Sequence, residues 1–226
     1  MSQKHNIYRE RVYVNQGFPE LVNLVGTQPC RVLDIGCGCG ANLRLLRERG
    51  HVATGLTLSE AEAKTVEVQG LSCRVWDITS EVLPFPSESF DALIFSHVLE
   101  HVACPEVVLR RFTQLLKPNG KVYVALPNAL QFMQRWQFLL GRFCYTETGI
   151  MDHTHLRFFD FMTARQLVES CGLKVVRHLG IGQFPTGPLR ELAPSLSRRI
   201  DRWTSRQWPG LFAFHLIVVA QWAEKQ

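Results

Sequence analysis

The chain has 226 residues, of which 46% are hydrophobic, so it can bury the core of one α/β domain and requires no second domain. Its first residues contain no apolar signal region, and no apolar run approaches membrane-spanning length, so we expect an unprocessed cytoplasmic protein rather than a secreted or transmembrane one. The net charge of +5 is mild and fits an anionic small substrate or a membrane surface as readily as nucleic acid.

The strongest motif lies between residues 31 and 43. Its apolar run Val32–Ile35 predicts a strand, Gly36, Gly38 and Gly40 predict a tight turn, and the leucines that follow predict a helix. Glycines at these positions allow a sharp turn and a close approach of the backbone to a ligand, while the helix N-terminus offers N–H groups. The motif favours a nucleotide-like ligand, although such a turn also occurs without one.

The rest of the chain alternates between apolar strands and amphipathic helices. Further strands are predicted at 51–58, 71–76, 92–95, 121–126, 173–179 and 211–220, with residues 117–120 forming a turn. Predicted helix starts are a capping box of Ser59 and Glu62, a proline at Pro105, and a cap formed by Thr163 with Gln166. In such a sheet, ligands bind at the carboxyl ends of the strands.

The glycine motif resembles motif I of the class I S-adenosylmethionine-dependent methyltransferases. This resemblance implies S-adenosyl-L-methionine as the cofactor, with Asp34 and the three glycines holding its amino-acid half. It also implies the fold of that family, an α/β, Rossmann-like, doubly wound sheet of seven mostly parallel strands. The last strand of that fold is antiparallel and inserts between strands five and six.

Other positions match the rest of the family's cofactor site. Asp77 follows the third strand, where the family places an acid against the adenine amino group, and Ile78 lies beside it; a turn cap is the alternative role for Asp77. Thr57 occupies the place where most members carry Asp or Glu for the ribose, and threonine offers only one uncharged contact. Ser96 follows the fourth strand at the carboxyl edge.

After the fifth strand, the sequence resembles a narrower subgroup of this family, whose members are encoded beside glycosyltransferases. The matching segments are 126–128 (LPN), 141–145 (GRFCY) and 149–160 (GIMDHTHLRFFD). This resemblance implies O-methylation of a hydroxyl on a sugar or glycoconjugate. We expect one domain, made of an N-terminal cap over the cofactor mouth (1–27), a core (28–180), a variable insertion (181–210), and the last strand with a tail (211–226).

Methyl transfer to an alcohol requires alignment and removal of a proton from the acceptor, and histidine titrates in the suitable range. Of the histidines after strands four and five, His155 ranks first as the base and His101 second. Glu100 is expected to polarise a histidine, and Arg157 to orient an anionic or polyhydroxylated acceptor. The alternative is a structural latch in which His155 and Arg157 bond backbone carbonyls.

No metal is expected. Asp152, His153 and His155 come nearest to a ligand set, but one carboxylate with closely spaced histidines is typical of loop structure.

Residues 129–143 and 196–203 carry helical stripes of tryptophan and leucine, with arginines nearby. The stripes either pack on the domain or contact a lipid-linked substrate at a membrane surface. We therefore expect a small-molecule or lipid-linked saccharide partner, with peripheral membrane contact as an option, and no nucleic acid. The alternative function, favoured by Thr57, is a catalytically silent methyltransferase-like accessory protein that partners a biosynthetic enzyme.

Overall fold

The computed structural model describes residues 16–223, and its strands form one mixed sheet. In chain order the strands are β1 (Arg31–Ile35), β2 (Val52–Thr57), β3 (Ser72–Val75), β4 (Phe90–Ser96), β5 (Leu116–Pro127), β6 (Leu173–Gly182) and β7 (Ala213–Trp222). They lie in the order β3-β2-β1-β4-β5-β7-β6, and β7 is antiparallel to both β5 and β6. The expected fold is confirmed, including the insertion of the last strand.

The α-helices of the described residues flank this sheet. They are α1 (Pro19–Asn23), α2 (Ala41–Glu48), α3 (Glu60–Val68), α4 (Pro105–Phe112), α5 (Phe132–Leu139), α6 (Phe161–Glu169), α7 (Leu189–Leu192), α8 (Pro194–Gln207) and α9 (Pro209–Phe212). None of the helices within residues 16–223 combines the length and the apolar character needed to cross a bilayer. The cytoplasmic location stays a prediction.

The sheet is buried on both faces because its central strands carry apolar side chains on both sides. Along β1, Val32 packs with α1 and α2 in one hydrophobic cluster, while Leu33 and Ile35 pack with α4 and α6 in another. Alternate side chains of a strand point to opposite faces, so these two clusters lie on the two sides of the sheet. β1 pairs with β2 on one side and β4 on the other. The carboxyl edge at β1 and β4 is therefore the switch point where doubly wound sheets bind ligands.

Two local predictions are wrong. The segment 117–120 is not a separate turn, because β5 begins at Leu116 and the segment bulges out of the strand: Phe90 pairs with Leu116, but Ala92 pairs with Lys121. The cap of α6 is Asp160 instead of Thr163. The Asp160 carboxylate accepts hydrogen bonds from the backbone N–H groups of the first turn, and the Thr163 hydroxyl accepts one from the N–H of Asp160.

The two amphipathic stripes are largely exposed, although Ile200 in the second stripe is half-buried and Trp203 contacts Trp208. The buried residues of α8 are polar, whereas Leu196 and Trp203 are exposed. Helix α5 buries no residue completely, and Trp136 is 55% exposed. The interpretation that these stripes pack on the domain is therefore wrong.

Candidate active site

The turn after β1 depends on glycine for both conformation and space. Gly36, Gly38 and Gly40 have φ angles of +78°, +51° and +82°, which L side chains rarely adopt. A Cβ atom on Gly36 would lie 2.7 Å from a methyl carbon of Val98. The turn thus brings bare backbone to the switch point, immediately before the N-terminus of α2.

Asp34 is the buried acid of this corner. It is fully buried, and neither carboxylate oxygen has a hydrogen-bond partner among the described residues. Burial raises the pKa of Asp34 to about 7, although the neighbouring Asn42 amide opposes part of the rise. Burying such a group is unfavourable unless a cation or a donor compensates it. The corner therefore fits a ligand that carries an ammonium group, as the amino-acid half of S-adenosylmethionine does.

The Glu62 carboxylate lies beside Thr57, at the predicted ribose position. The sequence predicted only a helix-capping role for Glu62. Thr57 is buried, its hydroxyl donates to the Glu62 carboxylate, and it accepts a hydrogen bond from the N–H of Ser59 at 3.1 Å. The predicted capping box is only half formed: Ser59 Oγ accepts from the N–H of Glu62 at 3.4 Å, but the Glu62 side chain turns to Thr57. An acid in the first turn of α3, five residues after Thr57, was the signal for it.

Asp77 caps a turn, which was the predicted alternative to binding adenine. Its Oδ1 accepts hydrogen bonds from the N–H and the hydroxyl of Thr79, at 2.8 and 2.7 Å. Ile78 is half-buried against the core. Beside them, at the carboxyl ends of β2 and β3, lies a cavity of about 510 Å³ lined by Leu58, Glu60, Val75, Trp76, Asp77 and Ser80. The volume of this cavity is typical of a small-molecule site. The adenine role of Asp77 stays a prediction.

Ser96 lies where β4 reaches the glycine turn. Phe95, the residue before it, pairs with Ile35, so Ser96 is level with Gly36 at the edge. The chain continues from Ser96 directly into a group of histidines.

A chain of hydrogen bonds begins at the buried Glu100. Its Oε1 lies 3.3 Å from His97 Nδ1, and His97 Nε2 lies 3.1 Å from His215 Nδ1. Because an ionised carboxylate only accepts, His97 Nδ1 donates to it, and Nε2 of the neutral His97 ring accepts from His215 Nδ1. Phe18 contacts both rings, with centroids 5.8 and 5.1 Å away. The described part of the N-terminal cap thus covers these histidines, and residues 1–15 lie outside the described residues.

A second pair of imidazoles lies close to Glu100. The rings of His101 and His155 have centroids 4.8 Å apart. The Thr154 hydroxyl donates to Asp152 Oδ1 at 2.7 Å, so it accepts from His101 Nδ1 at 3.1 Å. His155 Nδ1 donates to the carbonyl oxygen of Ile150 at 3.0 Å. In their neutral forms, both imidazoles therefore carry the proton on Nδ1 and the lone pair on Nε2.

Charge is concentrated on the carboxylate of this group. Burial alone would raise the pKa of Glu100, but the hydrogen bond from His97 and the charges of His97 and His101 outweigh burial and lower it. Burial lowers the pKa of His101, although the Glu100 charge opposes this. Burial, together with the nearby His97, lowers the pKa of His215 to about 4. Glu100 Oε2 is buried and has no hydrogen-bond partner among residues 16–223.

The latch considered for this loop is present. The N–H groups of Leu156 and Arg157 donate to the carbonyl oxygen of Glu100 at 2.8 and 3.0 Å, and Arg157 Nε donates to that of Ala103 at 2.9 Å. The guanidinium is half-exposed and lies 4.0 Å from the Glu106 carboxylate. These bonds hold the loop against the end of β4. The role of Arg157 towards an acceptor stays a prediction.

The fold does not bring Asp152, His153 and His155 together as a set of metal ligands. Asp152 bonds Thr154, and His153 is half-exposed. His155 is instead grouped with Glu100 and His101.

The sequence model of a family described as a methyltransferase domain matches residues 8–178. The chain belongs to the class I S-adenosylmethionine-dependent methyltransferases. This methyltransferase is 33% identical over 114 residues to the ubiquinone biosynthesis O-methyltransferase of Pseudomonas fluorescens (strain Pf0-1), a match that covers 48% of each chain. It is 27% identical over 158 residues to the protein of the same name from Coxiella burnetii (strain Dugway 5J108-111), covering 68% of each. The match thus spans about half of the first relative and two thirds of the second.

Solved structures share the fold of the methyltransferase. A SAM-dependent methyltransferase from Archaeoglobus fulgidus superposes with a TM-score of 0.62 at 20% identity, over 90% of this chain and 94% of that one. The 1,6-didemethyltoxoflavin-N1-methyltransferase of Burkholderia thailandensis, solved with S-adenosylhomocysteine, gives 0.58 at 15% identity, over 91% and 76%. The subgroup encoded beside glycosyltransferases stays a prediction.

Proposed function

We propose that this chain transfers a methyl group from S-adenosylmethionine to a hydroxyl of a small molecule, and that the acceptor is a sugar or glycoconjugate. One juxtaposition carries the proposal: the buried Asp34 on β1 and the buried Glu100, which follows the neighbouring strand β4 with histidines around it, lie at the same carboxyl edge. The relatives named as O-methyltransferases support an oxygen acceptor. The segments at 126–128, 141–145 and 149–160 are the basis for choosing a sugar.

In this proposal, the corner after β1 binds the cofactor. Asp34 pairs with the ammonium group, the bare backbone at Gly36 allows close approach, and Glu62 accepts the ribose hydroxyls in place of the usual acid after β2. When bound, the cofactor supplies a methyl group that its sulfonium already activates. The accessory-protein alternative was favoured by the missing ribose acid, and in this proposal Glu62 supplies that acid.

The acceptor side consists of the imidazoles beside Glu100. An alcohol is a weak nucleophile at neutral pH, so the chain must remove or acidify its proton. His155 and His101 are the groups that activate it, either by accepting the proton, with His155 ranked first, or by holding a cation. The Arg157 latch holds the loop that carries His155 beside the residues that follow β4, so His155 stays close to Glu100.

The test is incubation of the chain with methyl-labelled cofactor and an extract containing nucleotide sugars and lipid-linked saccharides, followed by mass analysis. We expect one product heavier by a methyl group, and we expect His155→Ala to lower its formation at least about 100-fold. His153→Ala is the control, since His153 lies in the same loop but is half-exposed. A correctly folded chain that does not bind S-adenosylhomocysteine at millimolar concentration refutes the proposal.

We propose an anionic membrane as a further partner, contacted through the exposed surface of α5. Met133, Trp136 and Leu139 are exposed on it, and with Phe132, Arg135 and Leu211 they line a cavity of about 310 Å³. Tryptophan and leucine beside arginine suit the boundary between headgroups and acyl chains. This surface follows β5, and so would bring a lipid-linked acceptor to the same edge as the histidines.

Vesicle flotation tests the membrane contact. We expect binding to vesicles that contain phosphatidylglycerol, and weaker binding by Trp136→Glu. Val68→Glu is the control, because Val68 is exposed on α3 and lies outside the α5 surface. Equal flotation of the wild type and Trp136→Glu would contradict this part of the proposal.

A further inference from the structure

Three ligand groups come together at the carboxyl edge: the neighbours Glu100 and His101, and His155, which is distant from them in the chain. One ligand atom from each of Glu100, His101 and His155 lies within 4.8 Å of the other two. One carboxylate with two imidazoles is a set that binds divalent transition metals and leaves coordination positions open. We propose that Glu100, His101 and His155 bind a divalent transition-metal cation, best represented by Zn²⁺, which takes the hydroxyl oxygen of the acceptor as a further ligand.

Glu100 has one carboxylate oxygen that is free to bind a cation. Its Oε1 is held by His97, while Oε2 is buried among the described residues without a hydrogen-bond partner. Leaving a carboxylate oxygen buried and uncompensated is costly, and a cation at this point removes the cost. His97 then acts as a positioning residue, because its hydrogen bond fixes the plane of the carboxylate.

Each imidazole has the outer hydrogen bond that a metal-bound histidine usually makes. A metal-bound histidine usually donates its other N–H to a carbonyl, hydroxyl or carboxylate, which fixes the ring and the tautomer. His155 Nδ1 does this to the carbonyl oxygen of Ile150, and His101 Nδ1 to the hydroxyl of Thr154, which Asp152 holds in turn. The lone pair of each ring is therefore on Nε2. Neutral imidazole suits zinc, copper, iron and nickel better than Mg²⁺ or Ca²⁺, which prefer oxygen.

The chemical consequence rests on the proposed function, whereas the cation site itself does not. A cation that binds the acceptor oxygen lowers the pKa of the hydroxyl, so the O–H bond breaks and the proton passes to water. The resulting oxygen forms the new O–CH₃ bond as the S–CH₃ bond breaks, and S-adenosylhomocysteine leaves. His101 and His155 then act as ligands of the cation rather than as bases.

The experiment measures the cation directly on the whole chain, without acceptor or turnover. Chelator-treated protein is titrated with Zn²⁺ and with Mg²⁺ by calorimetry, and with Co²⁺ by visible absorption, which reports nitrogen ligands. We expect one equivalent of Zn²⁺ to bind, the Co²⁺ spectrum of a site with nitrogen ligands, and a higher melting temperature with Zn²⁺. His155→Ala and Glu100→Gln weaken Zn²⁺ binding by at least about 100-fold, since even the loss of an outer partner costs 10 to 100-fold. His153→Ala is the matched control and binds as the wild type does.

Two results overturn the cation site: no Zn²⁺ or Co²⁺ binding by folded wild-type chain, or unchanged Zn²⁺ affinity in folded His155→Ala. If Glu100→Gln does not fold, His155→Ala and the Co²⁺ spectrum of the wild type still decide. S-adenosylhomocysteine binding is measured on the same samples. If the chain binds S-adenosylhomocysteine but does not bind Zn²⁺, only the cation site is refuted. If it binds Zn²⁺ but does not bind S-adenosylhomocysteine, only the proposed function is refuted.

Discussion

Replacing Asp34 by Asn tests the cofactor corner, because it removes the charge and keeps the shape of the side chain. If the carboxylate pairs with the ammonium group of the ligand, the variant loses charge-assisted hydrogen bonds worth about 1.5–3 kcal/mol. This corresponds to roughly 10- to 150-fold weaker binding of S-adenosylhomocysteine. Calorimetry at pH 8 measures this loss. Asp91→Asn is the control, because Asp91 lies at the start of β4, at the opposite edge of the sheet.

The pH dependence sharpens this prediction. With a pKa of about 7, Asp34 is ionised to roughly one tenth at pH 6 and nine tenths at pH 8, so wild-type affinity should rise about tenfold across that range. The Asn variant should show no such rise. A wild-type affinity that is constant from pH 6 to pH 8, or equal affinities of wild type and Asp34→Asn at pH 8, would refute the reasoning.

The stability of the free protein should change in the opposite sense. Burial raises the pKa of Asp34 in the folded chain from 3.8 to about 7, so its stabilisation is complete below pH 3.8 and is lost as the pH rises through 7. The Asn variant escapes this loss. Between pH 5 and pH 8, its unfolding free energy should therefore gain about 3 kcal/mol relative to the wild type, measured by urea denaturation. A gain of zero would mean that Asp34 is compensated in the free protein.

Three further predictions concern other parts of the site. Glu62→Ala should weaken S-adenosylhomocysteine binding about tenfold, because it removes the acceptor of the ribose hydroxyls. Glu67→Ala, on the exposed side of α3, is the control and should bind as the wild type does. Equal affinities of the two variants would exclude Glu62 from the ribose site. The pKa of His215 is about 4 in the folded chain and 6.5 in the unfolded chain. Its contribution to stability is therefore complete above pH 6.5 and is lost as the pH falls towards 4. Urea denaturation should show that His215→Phe loses less unfolding free energy than the wild type over this range. Gly36→Ala should cost about 2–4 kcal/mol, against about 1 kcal/mol for Gly50→Ala, because both have positive φ but only Gly36 lacks room for a Cβ; equal melting temperatures of the two variants would contradict this.

The sequence was sufficient for the strands and for the glycine turn after β1. Apolar periodicity and the glycines between residues 36 and 40 are local signals, and local signals decide where strands, turns and helices form. The sequence did less well where a local rule competed with contacts from elsewhere. Thr163 was predicted to cap α6. The cap is Asp160, because its backbone is extended just before α6 and its carboxylate accepts from the first N–H groups of the helix. The segment 117–120 looked like a turn, yet pairing with β4 holds it in β5 as a bulge.

The sequence, through its resemblance to a known family, determined the fold class and the place of the last strand, and its own pattern placed the glycine turn after Asp34 and the histidines that follow β4 and β5. Only the tertiary structure decided which groups meet. His155 joins His101 across 54 positions of sequence, His215 reaches His97 across 118, and Glu62 turns from its expected cap to Thr57. The physical reason is that periodicity reports the neighbours of a residue along one helix or strand. Contacts at the edge of a sheet depend on how distant loops pack there, and that information is present in no single segment.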